Sequence, residues 1–224
     1  MKKHVFLLFL LAIGLQFYSV SQVFVADLPP GYNKVVSAES EKGLDGSPWL
    51  TENWVPGTIN LISGKTIENL KYRYNVYRNQ LYFQYGDAEY MVGSPDSIAY
   101  LLMDGKKFVY DNSDPVNKDK RRLMEIAIDG KARMYVNYYP EIIPANYNIA
   151  LGSGNKNETV AVKEAYLIKV ESVLTVVDKK GKLIPVALSD KNQEVSSFIK
   201  KEKISPKKRA DIEKVVRYYN SLQN

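Results

Sequence analysis

The sequence contains no cysteine and only one histidine, His4. Without cysteine, the chain can form no disulfide, hold no iron–sulfur cluster through thiolates and carry no acyl chain on sulfur. Histidine is the usual base beside a serine or cysteine nucleophile, and histidine and cysteine are the usual ligands of zinc. If His4 is removed with a leader peptide, the finished protein therefore lacks all of these catalytic and metal sites.

The first 21 residues have the layout of a secretory signal peptide. Lys2 and Lys3 give a positive start, Val5–Phe17 is almost entirely apolar, and residues 19–21 (Ser-Val-Ser) supply the small–x–small pattern of a cleavage site. A membrane anchor is the alternative, but about 13 apolar residues are too few to cross a bilayer. We expect cleavage after Ser21, which makes Gln22 the new N-terminus.

The remaining sequence has no second long apolar run and no strong charge. No later stretch approaches the roughly 18 consecutive apolar residues of a transmembrane helix. The formal net charge of +6 falls to +4 when Lys2 and Lys3 are lost, because the first 21 residues contain no acidic residue. So modest a charge favours weak attraction to anionic surfaces and does not indicate nucleic-acid binding. We expect a soluble protein of the periplasm or the extracellular space.

The composition changes twice along the mature chain. Residues 22–48 lack regular patterning and contain a Pro-Pro-Gly sequence, which predicts an extended leader or linker. Residues 49–188 show strand patterns and tight turns, and we expect them to form an antiparallel β domain. Residues 189–224 change to helical spacing, which predicts a helical hairpin packed on that domain.

The strand signals are alternation and Asp-Gly turns. Residues 70–77 alternate apolar and polar side chains, and Arg78-Asn79 is expected to turn the chain into a partner strand. Asp104-Gly105, Asp129-Gly130 and Lys180-Gly181 each separate two strand-like runs, as in two-residue hairpins. These signals predict a mainly β fold of about ten strands in an antiparallel meander, which forms a sandwich or a partly closed barrel. Residues 111–120 and 146–158 are expected to be polar loops.

Two helices are predicted near the C-terminus. Ser189 or Asp190 can cap a short helix with an apolar stripe. Ser205-Pro206 is a typical start for the second helix, because proline is favoured at the first helical position. Its apolar positions recur at helical spacing and are Ile212, Val215, Val216 and Tyr219.

Several short segments form a recognisable set: Gly46-Ser47-Pro48-Trp49-Leu50, Gly57-Thr58, residues 70–81, the hairpin at 129–131 and residues 215–222. Together they resemble segments of a family of uncharacterised exported proteins of Gram-negative bacteria. The family pattern has the form GSPYL followed by LRYNxYxxQ, and Trp49 stands where the family has tyrosine. The resemblance implies export and a shared fold, and it implies no activity.

Catalysis would have to rely on carboxylates. A glycan hydrolase needs two of them at the right separation, and Glu89, Asp96, Asp111 and Asp114 are the candidates, although their spacing singles out no pair. Residues 111–114 also offer oxygen ligands, but they lack the pattern of a calcium-binding EF-hand loop. Ser197 and Lys200 match an S-x-x-K motif without its partner motifs. We therefore predict no catalytic residue, no metal site and no cofactor.

Two groups of side chains are candidates for recognition. Tyr77 and Tyr82 have the opposite phase from the apolar faces of their strands, and together they would form a patch for a glycan or a protein. The densest basic cluster would contact anionic lipid or acidic glycan, or else be a solvated turn; it consists of Lys200, Lys201, Lys203, Lys207, Lys208 and Arg209.

The sequence thus favours a non-catalytic binding or interaction protein of the cell envelope or the extracellular space. Its expected partners are an envelope protein, a glycan or an anionic surface. A carrier of lipid or another apolar ligand in a barrel-like cavity is the second hypothesis. A glycan hydrolase that depends on carboxylates is the third.

Overall fold

The computed structural model describes residues 28–29, 31–34, 44–111 and 121–223, and its fold is mainly β with a helical C-terminal region. The predicted signal peptide and residues 112–120 lie outside the described residues. The strands are β1 (Asn33–Lys34), β2 (Leu44–Gly46), β3 (Val55–Leu61), β4 (Thr66–Asn75), β5 (Gln80–Tyr85), β6 (Ala88–Met91), β7 (Ile98–Met103), β8 (Lys106–Asp111), β9 (Arg122–Ile128), β10 (Ala132–Ile143), β11 (Glu158–Val170) and β12 (Val173–Val176).

All twelve strands belong to one sheet that is not closed into a barrel. Its order is β1-β6-β5-β4-β3-β7-β8-β9-β10-β11-β12, and every pair on this path is antiparallel. β2 pairs with β11 in parallel, so the sheet is mixed, although the antiparallel meander predicted from the sequence makes up the rest of it. The predicted leader at 22–48 is therefore partly built into the sheet, through β1 and β2.

The segment after β2 joins two distant strands. β2 pairs with β11, and residues 47–50 then run to the end of β4, six places away in the strand order. There the Leu50 amide donates to the Tyr74 carbonyl at 2.9 Å, and the Val76 amide donates to the Pro48 carbonyl at 2.8 Å. The sheet is therefore curled, and its two halves are connected across the curl.

The predicted hairpins are largely present. Asp104 and Gly105 both have positive φ, of 53° and 69°, between β7 and β8. This backbone shape is the one that a two-residue hairpin turn requires and that Asp-Gly favours. The turns at 76–79 and 129–131 join β4 to β5 and β9 to β10, and the second is longer than the two-residue turn predicted at Asp129-Gly130.

The hairpin predicted at Lys180-Gly181 is wrong. The chain turns there, but the expected strand Leu183–Leu188 contains the short helix α1 (Ile184–Ala187). Pro185 lies in its first turn, a position where proline is tolerated because the missing N–H has no helical acceptor. Ile184 and Leu188, four residues apart, are both buried in the core.

The helical hairpin is confirmed, with different ends. Its helices are α2 (Asn192–Lys201) and α3 (Arg209–Ser221). Neither Ser189 nor Asp190 caps α2 with its side chain, because Asp190 accepts instead from the Tyr219 hydroxyl at 2.8 Å. Pro206 lies in a turn ahead of α3 and not at its first position. Four apolar residues of α3 are fully buried against the sheet: Ile212, Val215, Val216 and Tyr219.

Candidate functional site

Both tryptophans of the chain lie against the same arginine on the outer face of the sheet. The Arg73 guanidinium carbon is 4.0 Å from the ring centroid of Trp49 and 5.5 Å from that of Trp54. Tyr82 lies opposite Arg73 on β5, and its ring meets that of Trp49 edge to face at 5.4 Å. We refer to Trp49, Trp54, Arg73 and Tyr82 as the tryptophan–arginine cluster.

Three elements bring this cluster together. Tyr72 and Tyr74 of β4 point into the core, so the alternation of the strand places Arg73 on the outer face. Trp54 immediately precedes β3, which pairs with β4. Trp49 bridges Asn75 at the end of β4, so its indole also lies beside Arg73.

Arg73 is held in a partly desolvated environment. Burial lowers the pKa of Arg73, and the carboxylates of Glu89 and Glu52 oppose that change. Within the described part of the chain, the Arg73 Nε atom is buried and has no hydrogen-bond partner. Both indoles contact the Arg73 guanidinium, and cation–π contacts of this kind contribute about 0.5–2 kcal/mol each.

A surface groove of about 510 Å³ begins beside the cluster. Pro56 follows Trp54 by two residues, and Lys71 precedes Arg73 by two, so the groove continues along the same face. Leu102 on β7, with 42 % of its surface exposed, forms another wall. The apolar groove thus adjoins the aromatic and cationic side chains of the cluster, which is an arrangement suited to binding. The cluster contains no pair of a nucleophile and a base that could catalyse a reaction.

The structure does not bring Tyr77 and Tyr82 together as one exposed patch. Tyr77 lies in the turn after β4 and is 43 % exposed, whereas Tyr82 is only 9 % exposed beneath Trp49. The prediction that Tyr82 lies on the opposite face of β5 from Leu81 and Phe83 is correct. No local pattern in the sequence indicates that Trp49 covers it.

Five residues of the predicted basic cluster are exposed around the turn between α2 and α3: Lys200, Lys201, Lys203, Lys207 and Lys208. We refer to this group as the basic turn. Arg209 differs from them because it points inward and forms ion pairs with Glu125 and Glu213. Nearby, the rings of Phe198 and Tyr218 stack at 4.0 Å beside a groove of about 640 Å³ between the two helices.

Glu125 on β9 is a buried carboxylate that was not predicted from the sequence. Its side chain is 3 % exposed and forms an ion pair with Arg209, and the Tyr138 hydroxyl donates to it at 2.5 Å. Burial raises the pKa of Glu125, but the hydrogen bonds from Arg209 and Tyr138 and the charges of Arg209 and Lys106 outweigh it, so the pKa lies below its ordinary value. The burial of Glu125 could have been predicted from the sequence, because Glu125 lies two residues after the buried Leu123 and therefore on the same face of the strand.

The candidate carboxylates of a hydrolase have other contacts. Asp96 forms an ion pair with Arg121, Asp111 pairs with Lys169 at 3.0 Å, and Glu89 acts electrostatically on Arg73. Asp114 lies outside the described residues, as does most of the loop at 111–114. Ser197 and Lys200 lie on α2.

Within residues 28–29, 31–34, 44–111 and 121–223, no three Asp, Glu, His or Cys side chains are grouped so that they could hold a metal ion. Over the same residues, no helix combines the length and the apolar composition that crossing a membrane requires. No family model, curated protein or solved structure matches the chain.

Proposed function

We propose that this chain is a non-catalytic binding protein of the cell envelope or the extracellular space, and that the tryptophan–arginine cluster is the centre of its contact surface for a protein partner. The observation that carries this proposal is the cation–π contact of one half-buried arginine with both tryptophans. Tryptophan, tyrosine and arginine are the residues in which the binding energy of protein interfaces is concentrated.

The cluster is also ordered before any partner arrives. The indole of Trp49 is already held between Arg73 and Tyr82. Binding to such a surface loses less side-chain entropy than binding to free side chains, which cost about 0.5–1.5 kcal/mol each to immobilise. The adjoining groove offers room for an apolar side chain of the partner.

The interior of the sheet favours this function over a carrier of apolar ligands. The concave side is occupied by large, fully buried side chains, among them Tyr72, Tyr74, Phe83 and Phe108. These side chains share one core with the buried residues of α1, α2 and α3. Export rests on the signal-like pattern of residues 1–21 and on the resemblance described above, and it is part of the proposal.

Site-specific photocrosslinking in intact cells tests the proposed surface. With benzoylphenylalanine in place of Trp54, we expect a covalent adduct with one protein, because this position lies within the cluster. The matched control is the same replacement at Val186 of α1, which is 59 % exposed and lies outside the cluster. The proposal is wrong if position 54 gives no protein adduct, or if position 186 gives the same one.

A further inference from the structure

A long exposed arm extends from one end of the sheet. β10 pairs with β9 only through residues 134–137, whereas its pairing with β11 continues to Ile143. All residues from 141 to 158 are exposed, an unbroken run that includes the loop between β10 and β11. We refer to residues 141–158 as the arm.

The arm is apolar at its tip and uncharged over most of its length. No charged residue occurs between Glu141 and Lys156. Ile149 and Leu151 are 88 % and 75 % exposed, the highest values among the large hydrophobic residues that the structure describes. Burying such side chains fully yields about 1.5–3 kcal/mol each, so the tip favours an apolar environment.

Several backbone amides of the tip donate to acceptors within the loop itself. The Asn146 amide donates to the Asn155 carbonyl at 3.0 Å, and the Asn148 amide donates to the Ser153 carbonyl at 2.8 Å. The Asn148 and Asn146 side chains accept from the amides of Leu151 and Asn155, at 3.1 and 2.8 Å. A loop can enter an apolar phase only if its polar backbone groups are satisfied internally, and these four bonds meet part of that condition.

Cations lie at the same end of the molecule. Arg209, at the start of α3, contacts Tyr138, whereas Asn220 near its end bonds to Ala132 at 2.8 Å. α3 therefore runs antiparallel to β10, and the basic turn that precedes α3 lies at the end from which the arm projects.

Within the arm, the Lys156 ammonium is 4.9 Å from the ring centroid of Tyr147. The ion pair of Glu141 with Lys163 at 3.4 Å neutralises one of the two acidic residues at the base of the arm, the other being Glu158.

We propose that the arm docks on an anionic lipid bilayer, with Ile149 and Leu151 entering the interface and the basic turn contacting the headgroups. The order along the arm matches the layers of a bilayer surface, because an apolar tip is followed by Tyr147 and then by Lys156. Tyrosine favours the level of the headgroups, and lysine keeps its charge in water while its stem contacts apolar groups. This docking is independent of the protein-binding surface proposed above.

The chain contains no cysteine, so one introduced cysteine can be labelled with a dye at a single chosen position. A single Ile149→Cys variant of the full chain, labelled with an environment-sensitive dye, is mixed with vesicles of phosphatidylcholine and phosphatidylserine. We expect a blue shift of the dye emission and a smaller shift with phosphatidylcholine alone. The matched control is Ile62→Cys, whose position is 70 % exposed in the turn between β3 and β4, and it should not shift. The dye reports the surroundings of residue 149. Attachment of the chain to the vesicle through Val5–Phe17 would therefore not by itself shift the dye emission.

A second pair of variants tests the basic turn. In the labelled chain, Lys207→Gln with Lys208→Gln should weaken binding to the anionic vesicles by roughly tenfold or more at low salt, because each lysine near an anionic surface contributes to attraction. Lys34→Gln with Lys65→Gln changes the net charge equally and should have little effect. The proposal is overturned if the dye at position 149 does not respond to anionic vesicles. It is also overturned if the dye emission shifts without lipid when the protein concentration is raised, because that result indicates self-association. A dye shift that requires a soluble protein and does not occur with vesicles would overturn it as well.

Discussion

Replacing Arg209 with methionine is expected to lower the free energy of unfolding by about 3–5 kcal/mol, because it leaves the buried carboxylate of Glu125 without its main partner. Tyr138 would still donate to Glu125, and Lys106, 3.6 Å away, would compensate only in part from its more exposed position. Urea denaturation of the folded variant measures the loss.

The matched control removes both charges. Glu125→Leu combined with Arg209→Met should recover most of the stability, since a buried ion pair replaced by apolar residues is often neutral or stabilising. The deficit of the single variant should also shrink in acid. Because the folded pKa of Glu125 is depressed, its stabilisation is present above the unfolded pKa of about 4.3 and disappears as the pH falls through the folded value. A loss below about 1 kcal/mol for Arg209→Met at neutral pH would contradict this account.

Replacing Trp49 with alanine is expected to weaken binding of the crosslinked partner by about 2 kcal/mol or more, which is roughly thirtyfold in Kd. The change removes the ring that covers Tyr82 and stacks on Arg73, so the cluster loses both its shape and its order. Calorimetric titration of the purified partner measures the effect, and far-ultraviolet circular dichroism checks that the variant is folded.

The matched control for this prediction is Tyr77→Ala. Tyr77 is an exposed aromatic residue in the turn after β4 and outside the cluster, so its removal should change Kd by less than about fivefold, or 1 kcal/mol. A larger effect from Tyr77 than from Trp49 would move the contact surface away from the cluster.

The local features of the fold could be predicted from the sequence. Alternation along β4 correctly placed Leu70, Tyr72 and Tyr74 in the core. The Asp104-Gly105 turn was predictable because few residue pairs adopt positive φ at both positions without strain. These features depend on neighbours along the chain, which a sequence pattern displays directly.

Other features depend on distant partners. The apolar run at 183–188 fits a buried strand or a buried helix equally well, and the early proline and the contacts of Ile184 with the core decide for the helix. The parallel pairing of β2 with β11 joins residues more than a hundred positions apart, and no local pattern indicates it.

The candidate site was only half predictable for the same reason. The phase of Tyr82 on β5 could be read from its neighbours, whereas its cover by Trp49 depends on the segment that crosses from β11 to β4. Arg73 appeared in the sequence as an ordinary polar position of an alternating strand. Only the fold brings the two tryptophans to it from separate segments.

Acrylamide quenching of tryptophan fluorescence, with and without the bound partner, tests the proposed contact surface most directly, because Trp49 and Trp54 are the only tryptophans of the chain. With a partner that has no tryptophan of its own, or whose tryptophans are replaced by non-fluorescent 4-fluorotryptophan, binding should markedly reduce quenching of both indoles. Unchanged quenching in a fully formed complex would show that the partner binds elsewhere.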